Sequence, residues 1–231
     1  MLELVPEGFE ERERGGELEL AAYTDGIVGA RIARAFGAAQ EADVPADWSD
    51  RWRTFHKPAR AGPFWVGPGW EGAPGDAIAI VIDPGLAFGT GAHPTTRLCL
   101  ELLPRLPRGA LLDVGCGSGV LSVAARKLGF LPVHAVDDDP LAVETTRTNA
   151  ARNGVDVDAR LADAASDELP AADAVVANIA LDVVESIAAR VPASELVTSG
   201  YLTGERPEPR GWEHVENRAL DGWAADHFRR W

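Results

Sequence analysis

Leu111 to Gly119 reads LLDVGCGSG and runs straight into VLSVAARKLGF, residues 120–130. An apolar run ending at Asp113 and Val114 predicts a buried strand. The glycines at 115, 117 and 119 predict a tight loop, and the stretch after them predicts a helix. Glycines let such a loop turn sharply and let a ligand approach bare backbone, while the helix start offers N–H groups to it.

Further strand–helix units flank this one. Apolar runs at Ala77–Ile82, Ala110–Val114, Val133–Val136, Ala174–Ala177 and Glu195–Val197 read as buried strands. Helical patterns over Thr95–Leu103, Gly119–Leu128, Leu141–Asn153 and Asp182–Val191 lie between them. This alternation implies crossover units and an α/β domain with a mainly parallel sheet. At the end of the chain, WEHVENRAL and WAADHFRRW flank Asp221-Gly222, a favoured two-residue turn, and predict an antiparallel hairpin.

Residues 57–75, KPARAGPFWVGPGWEGAPG, are dense in Gly, Pro and Trp and read as a linker. They separate a small module, 1–56, from a larger domain, 76–231. The module shows a strand pattern over Glu17–Tyr23 and a helix pattern over Ile27–Phe36, with Val28, Ile32 and Phe36 on one face. Trp48, Trp52 and Phe55 at i, i+4 and i+7 read as a packing stripe.

The 231 residues carry 36 acids against 22 bases, a net charge of −14. That balance disfavours a nucleic-acid backbone as partner and favours a neutral or basic one. No run approaches 18 uncharged apolar residues, so no membrane span is expected. The acidic start, MLELVPEGFEERER, lacks a signal-peptide pattern. Cys99 and Cys116 are too few for a disulfide framework or a zinc cage, so no metal site is expected and a reduced, cytoplasmic setting fits.

Asp137 ends the strand after the glycine loop, 22 residues beyond Gly115, where an acid accepts hydrogen bonds from ribose hydroxyls. A dinucleotide fingerprint needs its third glycine at 120; this chain has Val120 there and spells G-x-G-x-G. That form, with Asp139-Pro140 after the acid, looks like the methyltransferase type of nucleoside site. VVANIA then puts Asn178 at the carboxyl edge of the fourth strand, beside the point where ligands bind in such sheets. Ile82–Thr96, IDPGLAFGTGAHPTT, reads as an active-site loop before a helix with its N-cap region at Thr95-Thr96.

DPGLAFGTGAHPTT, LLDVGCGSGVLSVAARKLG, VDDDPLAV, NAARNGV and VVANIA together closely resemble the PrmA-type ribosomal protein methyltransferases, from about Trp48 to Leu202. The resemblance implies a Rossmann-like class I methyltransferase with a seven-stranded sheet ending in an antiparallel hairpin. It implies S-adenosylmethionine as cofactor and methylation of lysine and the N-terminal amine of ribosomal protein L11, or of another basic protein. By the same resemblance Thr96, Gly115, Gly117, Asp137 and Asn178 contact the cofactor. Phe88, Gly89 and Thr90 form the loop over the methyl donor, and a residue near Asp163 faces the adenine amine. The family's N-terminal module is a complete ferredoxin-like unit, and 47 residues before Trp48 imply a truncated α+β version of it.

For catalysis, the expectation is alignment of a neutral amine by Asn178 and Phe88 without a strong base, with His93 the one ionisable candidate in the loop. The alternatives are a methyltransferase for another protein or a small-molecule amine, and a cofactor-binding protein without catalysis.

Overall fold

Two X-Pro steps and two glycines set the ends of the helices that matter most. Pro94 and Pro140 occupy first-turn positions whose N–H is not needed, with His93 and Asp139 as caps. Gly119 and Gly129, both at positive φ, bracket the helix after the glycine loop. The computed structural model describes residues 10–14, 17–21, 32–36, 57–82, 91–191 and 193–231. They fall into two units, Met1–Phe55 and His56–Trp231.

In the first unit, strands β1 (Glu10–Arg14) and β2 (Glu17–Ala21) pair antiparallel, with Arg14 opposite Glu17. Residues 32–36 are helical, with Phe36 exposed. Trp48, Trp52 and Phe55 lie outside the described residues, as does Val28.

The second unit begins with a three-stranded sheet: β3 (Ala59–Ala61), β4 (Phe64–Gly67) and β5 (Ile78–Val81). Two of these strands lie in the stretch expected to be a linker, so 57–75 is a folded part of the second unit. The breakers sit where strands turn: Gly62, at φ 54°, and Pro63 join β3 to β4, and buried Phe64 and Val66 carry the strand between them. The apolar run at 77–82 does form a strand, but it pairs with β4 in this small sheet and not with the large one.

The large sheet has seven strands. They are β6 (Leu111–Val114), β7 (Val133–Asp137), β8 (Asp158–Leu161), β9 (Ala174–Asn178), β10 (Glu195–Leu202), β11 (Trp212–Leu220) and β12 (Trp223–Arg230), in the order β11-β12-β10-β9-β6-β7-β8. β10 through β8 run parallel, and β12 and β11 are antiparallel additions at one edge. Asp221 and Gly222 both take positive φ at the β11–β12 turn, as an Asp-Gly hairpin requires.

Helices α1 (Pro94–Leu102), α2 (Val120–Leu128), α3 (Pro140–Arg152) and α4 (Leu181–Ala188) complete the domain. The central strands are buried on both faces, which explains their unbroken apolar runs. Leu111, Ala174, Val176 and Val197 point into a core with Leu98 of α1 and Val123 of α2. Leu112, Val114, Val175 and Ala177 point the other way, toward Ile187 of α4. Among the described residues no helix is long and apolar enough to cross a membrane.

Candidate functional site

The glycine loop is held from three sides. The N–H groups of Gly115 and Cys116 both donate to the Val136 carbonyl, at 2.9 and 3.1 Å, and Gly119 N–H donates to the Cys116 carbonyl at 2.7 Å. Gly117 N–H donates to Asp137 Oδ2 at 2.9 Å. On the far side, α3 contributes Thr146 Oγ1 to the Gly117 carbonyl at 3.1 Å and Asn149 Nδ2 to the Ser118 carbonyl at 2.8 Å. A side chain at 119 is excluded: φ is 77°, and a Cβ would lie 2.9 Å from the Thr146 Cα.

Asp137 stands at the end of β7 beside this loop. Its second oxygen accepts from Asp139 N–H at 3.0 Å. Each carboxylate oxygen thus uses one of its two lone pairs on backbone and keeps one, a donor-seeking edge that suits a vicinal diol. Asp139 caps α3 through Leu141 N–H at 2.8 Å. Asp163, after β8, is exposed and engaged locally: it accepts from Ala165 N–H at 2.8 Å and Ser166 Oγ at 2.9 Å. Those bonds, the backbone one first, hold its carboxyl below the usual carboxylate range.

Across the sheet edge, Asn178 Nδ2 reaches Thr96 Oγ1 at 3.3 Å, joining the end of β9 to buried Thr96 of α1. Asn178 does not cap the next helix; the cap of α4 is Ala180, without a side-chain bond. Ile179 follows, its N–H bonded to the Ser199 carbonyl at 3.0 Å. Its side chain sits against Gly115 and its backbone against Gly200, where a Cβ would fall 2.4 and 2.1 Å away respectively. The structure therefore brings together Gly115, Gly117, Asp137, Asn178 and Thr96 around the carboxyl edge of β6, β7 and β9. Phe88, Gly89 and Thr90 lie outside the described residues.

The expected N-cap at Thr95-Thr96 is corrected: the cap is His93, two residues earlier, because Pro94 fixes the first helical φ. His93 Nδ1 accepts from Thr95 N–H at 3.4 Å and lies 2.7 Å from Thr95 Oγ1, and its ring packs edge-on to Trp223 with centroids 4.9 Å apart. The expected effect of His93→Ala is a loss of about 1 kcal/mol of stability, typical of a removed cap, with turnover reduced less than a hundredfold. A larger fall at intact cofactor affinity, read from steady-state kinetics and titration calorimetry, makes His93 the base.

Beneath the loop lies Asp113, buried at the end of β6. Ser122 Oγ donates to its Oδ2 at 2.6 Å and Oδ1 has no partner. Burial pushes its carboxyl up to about 7, against the Ser122 bond that favours ionisation. The folded protein therefore holds this proton more tightly than the unfolded chain. The resulting stabilisation is complete below about pH 4, the ordinary value, and is lost as pH rises through about 7. Urea unfolding from pH 4 to 8 should show a decline in stability that Asp113→Asn flattens; identical slopes contradict the assignment. Burial likewise pushes the Cys116 thiol up to about 12 and raises that of Cys99, so both behave as packing groups.

Sequence reasoning missed Thr146, Asn149 and Asn153 as a group. Their spacing of three and four, on α3 and at its C-cap, is visible in TRTNAARN, residues 146–153, but a polar helix face ordinarily means solvent. Among the described residues no cluster of His, Cys, Asp and Glu has the makings of a metal site.

A family model described as "Ribosomal protein L11 methyltransferase (PrmA)" matches residues 29–228. A ribosomal protein L11 methyltransferase from Symbiobacterium thermophilum is 41% identical over 187 residues, covering 77% of this chain and 60% of that protein. One from Cupriavidus taiwanensis is 43% identical over 198 residues, covering 80% of this chain and 66% of its own length. The chain thus spans 60 and 66% of the length of these two relatives. The crystal structure of a ribosomal protein L11 methylase from Lactobacillus delbrueckii subsp. bulgaricus superposes with a TM-score of 0.65 at 27% identity, covering 73% of this chain and 95% of that one.

Proposed function

The chain belongs to the ribosomal protein L11 methyltransferase family, and from that premise we propose that it is an S-adenosylmethionine-dependent methyltransferase acting on amines of ribosomal protein L11. The observation that carries this reading is the meeting of Asn178 with Thr96, at 3.3 Å across 82 residues of sequence, beside a glycine loop braced by Asp137.

The residues present fit a nucleoside cofactor. Asp137 has acceptor capacity left for ribose hydroxyls, and the glycines at 115 and 117 keep side chains off the loop. Asp163 lies after β8, next to the strand that Asp137 ends, and is the candidate for the adenine amine. S-adenosylmethionine supplies an electrophilic methyl on a sulfonium, so the protein needs no activation chemistry of its own.

What remains for the protein is to present a neutral amine in line. Lysine, with a free pKa of about 10.4, must lose its proton first, and partial burial near a cation favours that loss. The carbonyls of Asn178, Ile179 and Ala180 orient the amine, with Phe88, and His93 serves as a helix cap. Orientation of this kind contributes roughly 7–11 kcal/mol in favourable cases. The acidic balance of the chain favours the approach of a basic substrate.

Incubation with labelled S-adenosylmethionine and purified ribosomal proteins, followed by intact mass of each product, tests the reading. The expected result is mass added to L11 in steps of one methyl. Label on a different protein, or on none while cofactor binds, overturns the substrate assignment.

A further inference from the structure

α3 does more than back the glycine loop. One of its faces carries Thr146 and Asn149, which hold the Gly117 and Ser118 carbonyls at 3.1 and 2.8 Å. Asn153 closes the helix and reaches 72 residues back along the chain to β5. Its Oδ1 accepts Val81 N–H at 2.9 Å and its Nδ2 donates to the Val81 carbonyl at 2.7 Å. The same Nδ2 also donates to the Asn149 carbonyl at 2.9 Å, so the residue that grips the loop and the residue that grips the strand are bonded to each other.

The primary amide of Asn153 thus acts toward Val81 as a neighbouring peptide would, satisfying the donor and acceptor of one edge residue together. What it holds matters for the site. Ile82, the next residue, donates its N–H to the Gly67 carbonyl of β4 at 3.0 Å. Gly91, at φ 88°, is packed so tightly on β4 that a Cβ would lie 2.4 Å from Val66 Cγ1. Ile82 and Gly91 are therefore both seated on the sheet that Asn153 ties to α3.

We propose that Asn153 is a positioning residue: through the Asn149 carbonyl it couples occupancy of the glycine loop to the placement of the β3–β5 sheet. The inference rests on the cofactor reading above. Its chemical logic is that two carbonyls of a ligand-bearing loop and both polar groups of a distant strand residue are fixed by two side chains on one helix and a third at its C-cap. A shift of the loop on binding is then transmitted to the strand and not absorbed between them.

The test is amide hydrogen exchange at Val81 and Ile82 in the full chain, with and without saturating S-adenosylmethionine, alongside calorimetry. In the parent protein the cofactor should slow exchange at both amides at least fivefold. In Asn153→Ala that protection should vanish while cofactor affinity stays within threefold of the parent. Asn149→Ala should instead weaken affinity at least tenfold. Asn153→Ser, a shorter polar side chain, replaces Asn153→Ala if the latter does not fold. Cofactor-independent exchange in the parent overturns the proposal, as does protection that survives in the Asn153 variant. A merely structural Asn153 would speed exchange equally with and without cofactor, which also overturns it. If the parent does not bind S-adenosylmethionine at all, the functional reading fails separately. The link is then judged by whether Asn149→Ala alone speeds exchange at Val81; unchanged exchange overturns it.

Discussion

Gly200→Ala is expected to cost about 2–4 kcal/mol of stability, combining a strained backbone with overpacking. Gly200 sits at φ 113° in the irregularity of β10 between Ser199 and Tyr201, where an L side chain is unfavourable. The added carbon would fall 2.1 Å from the Ile179 carbonyl oxygen and 2.7 Å from its carbon, so backbone must move. Ile179 cannot retreat freely, because its side chain fills the space beside Gly115. The displacement therefore reaches the loop that follows Asn178. Turnover should fall at least tenfold, and for a domain of this size Tm should drop roughly 5–15 °C. Thermal unfolding and kinetics check both; a variant with parental Tm and turnover would show that the contact is not tight.

Asp137→Ala is expected to weaken S-adenosylmethionine binding 10- to 100-fold, roughly 1.5–3 kcal/mol for hydrogen bonds to a charged acceptor. Two losses add. Ribose hydroxyls lose their acceptor, and Gly117 N–H and Asp139 N–H lose theirs at 2.9 and 3.0 Å. Asp137→Asn keeps one acceptor oxygen and should fall between the parent and the alanine variant. Titration calorimetry with the three proteins decides; unchanged affinity in the alanine variant rejects the ribose assignment.

How much of this was legible in the sequence depends on how local the determining chemistry is. The glycine loop and Asp137 could be read because glycine spacing and an acid at a strand end have meanings fixed by position. Four of the five parallel strands, β6, β7, β9 and β10, could be read because their burial leaves apolar runs, and the hairpin because Asp221-Gly222 is nearly diagnostic; β8, DARL, has no such run. The strands β3 and β4 could not, since four residues such as Phe64–Gly67 are swamped by the glycines and prolines that end them. β1, EERER, shows no apolar alternation at all. β10 runs on to Leu202, past the apolar run that stops at Val197, because Thr198 and Ser199 are buried with their hydroxyls bonded. The bond from Asn178 to Thr96 and the reach of Asn153 to Val81 span 82 and 72 residues, and no local pattern announces them.

The order of the large sheet leaves β11 and β8 as its outer strands. β11 shifts register between His214 and Glu216 and displays Glu213, Glu216 and Arg218; β8 is four residues long, with Asp158 and Arg160 paired on it. Charge, brevity and a kink are the devices that stop a foreign strand from docking at an open margin. A foreign polypeptide is thus steered away from zipping onto these borders as an extra ribbon.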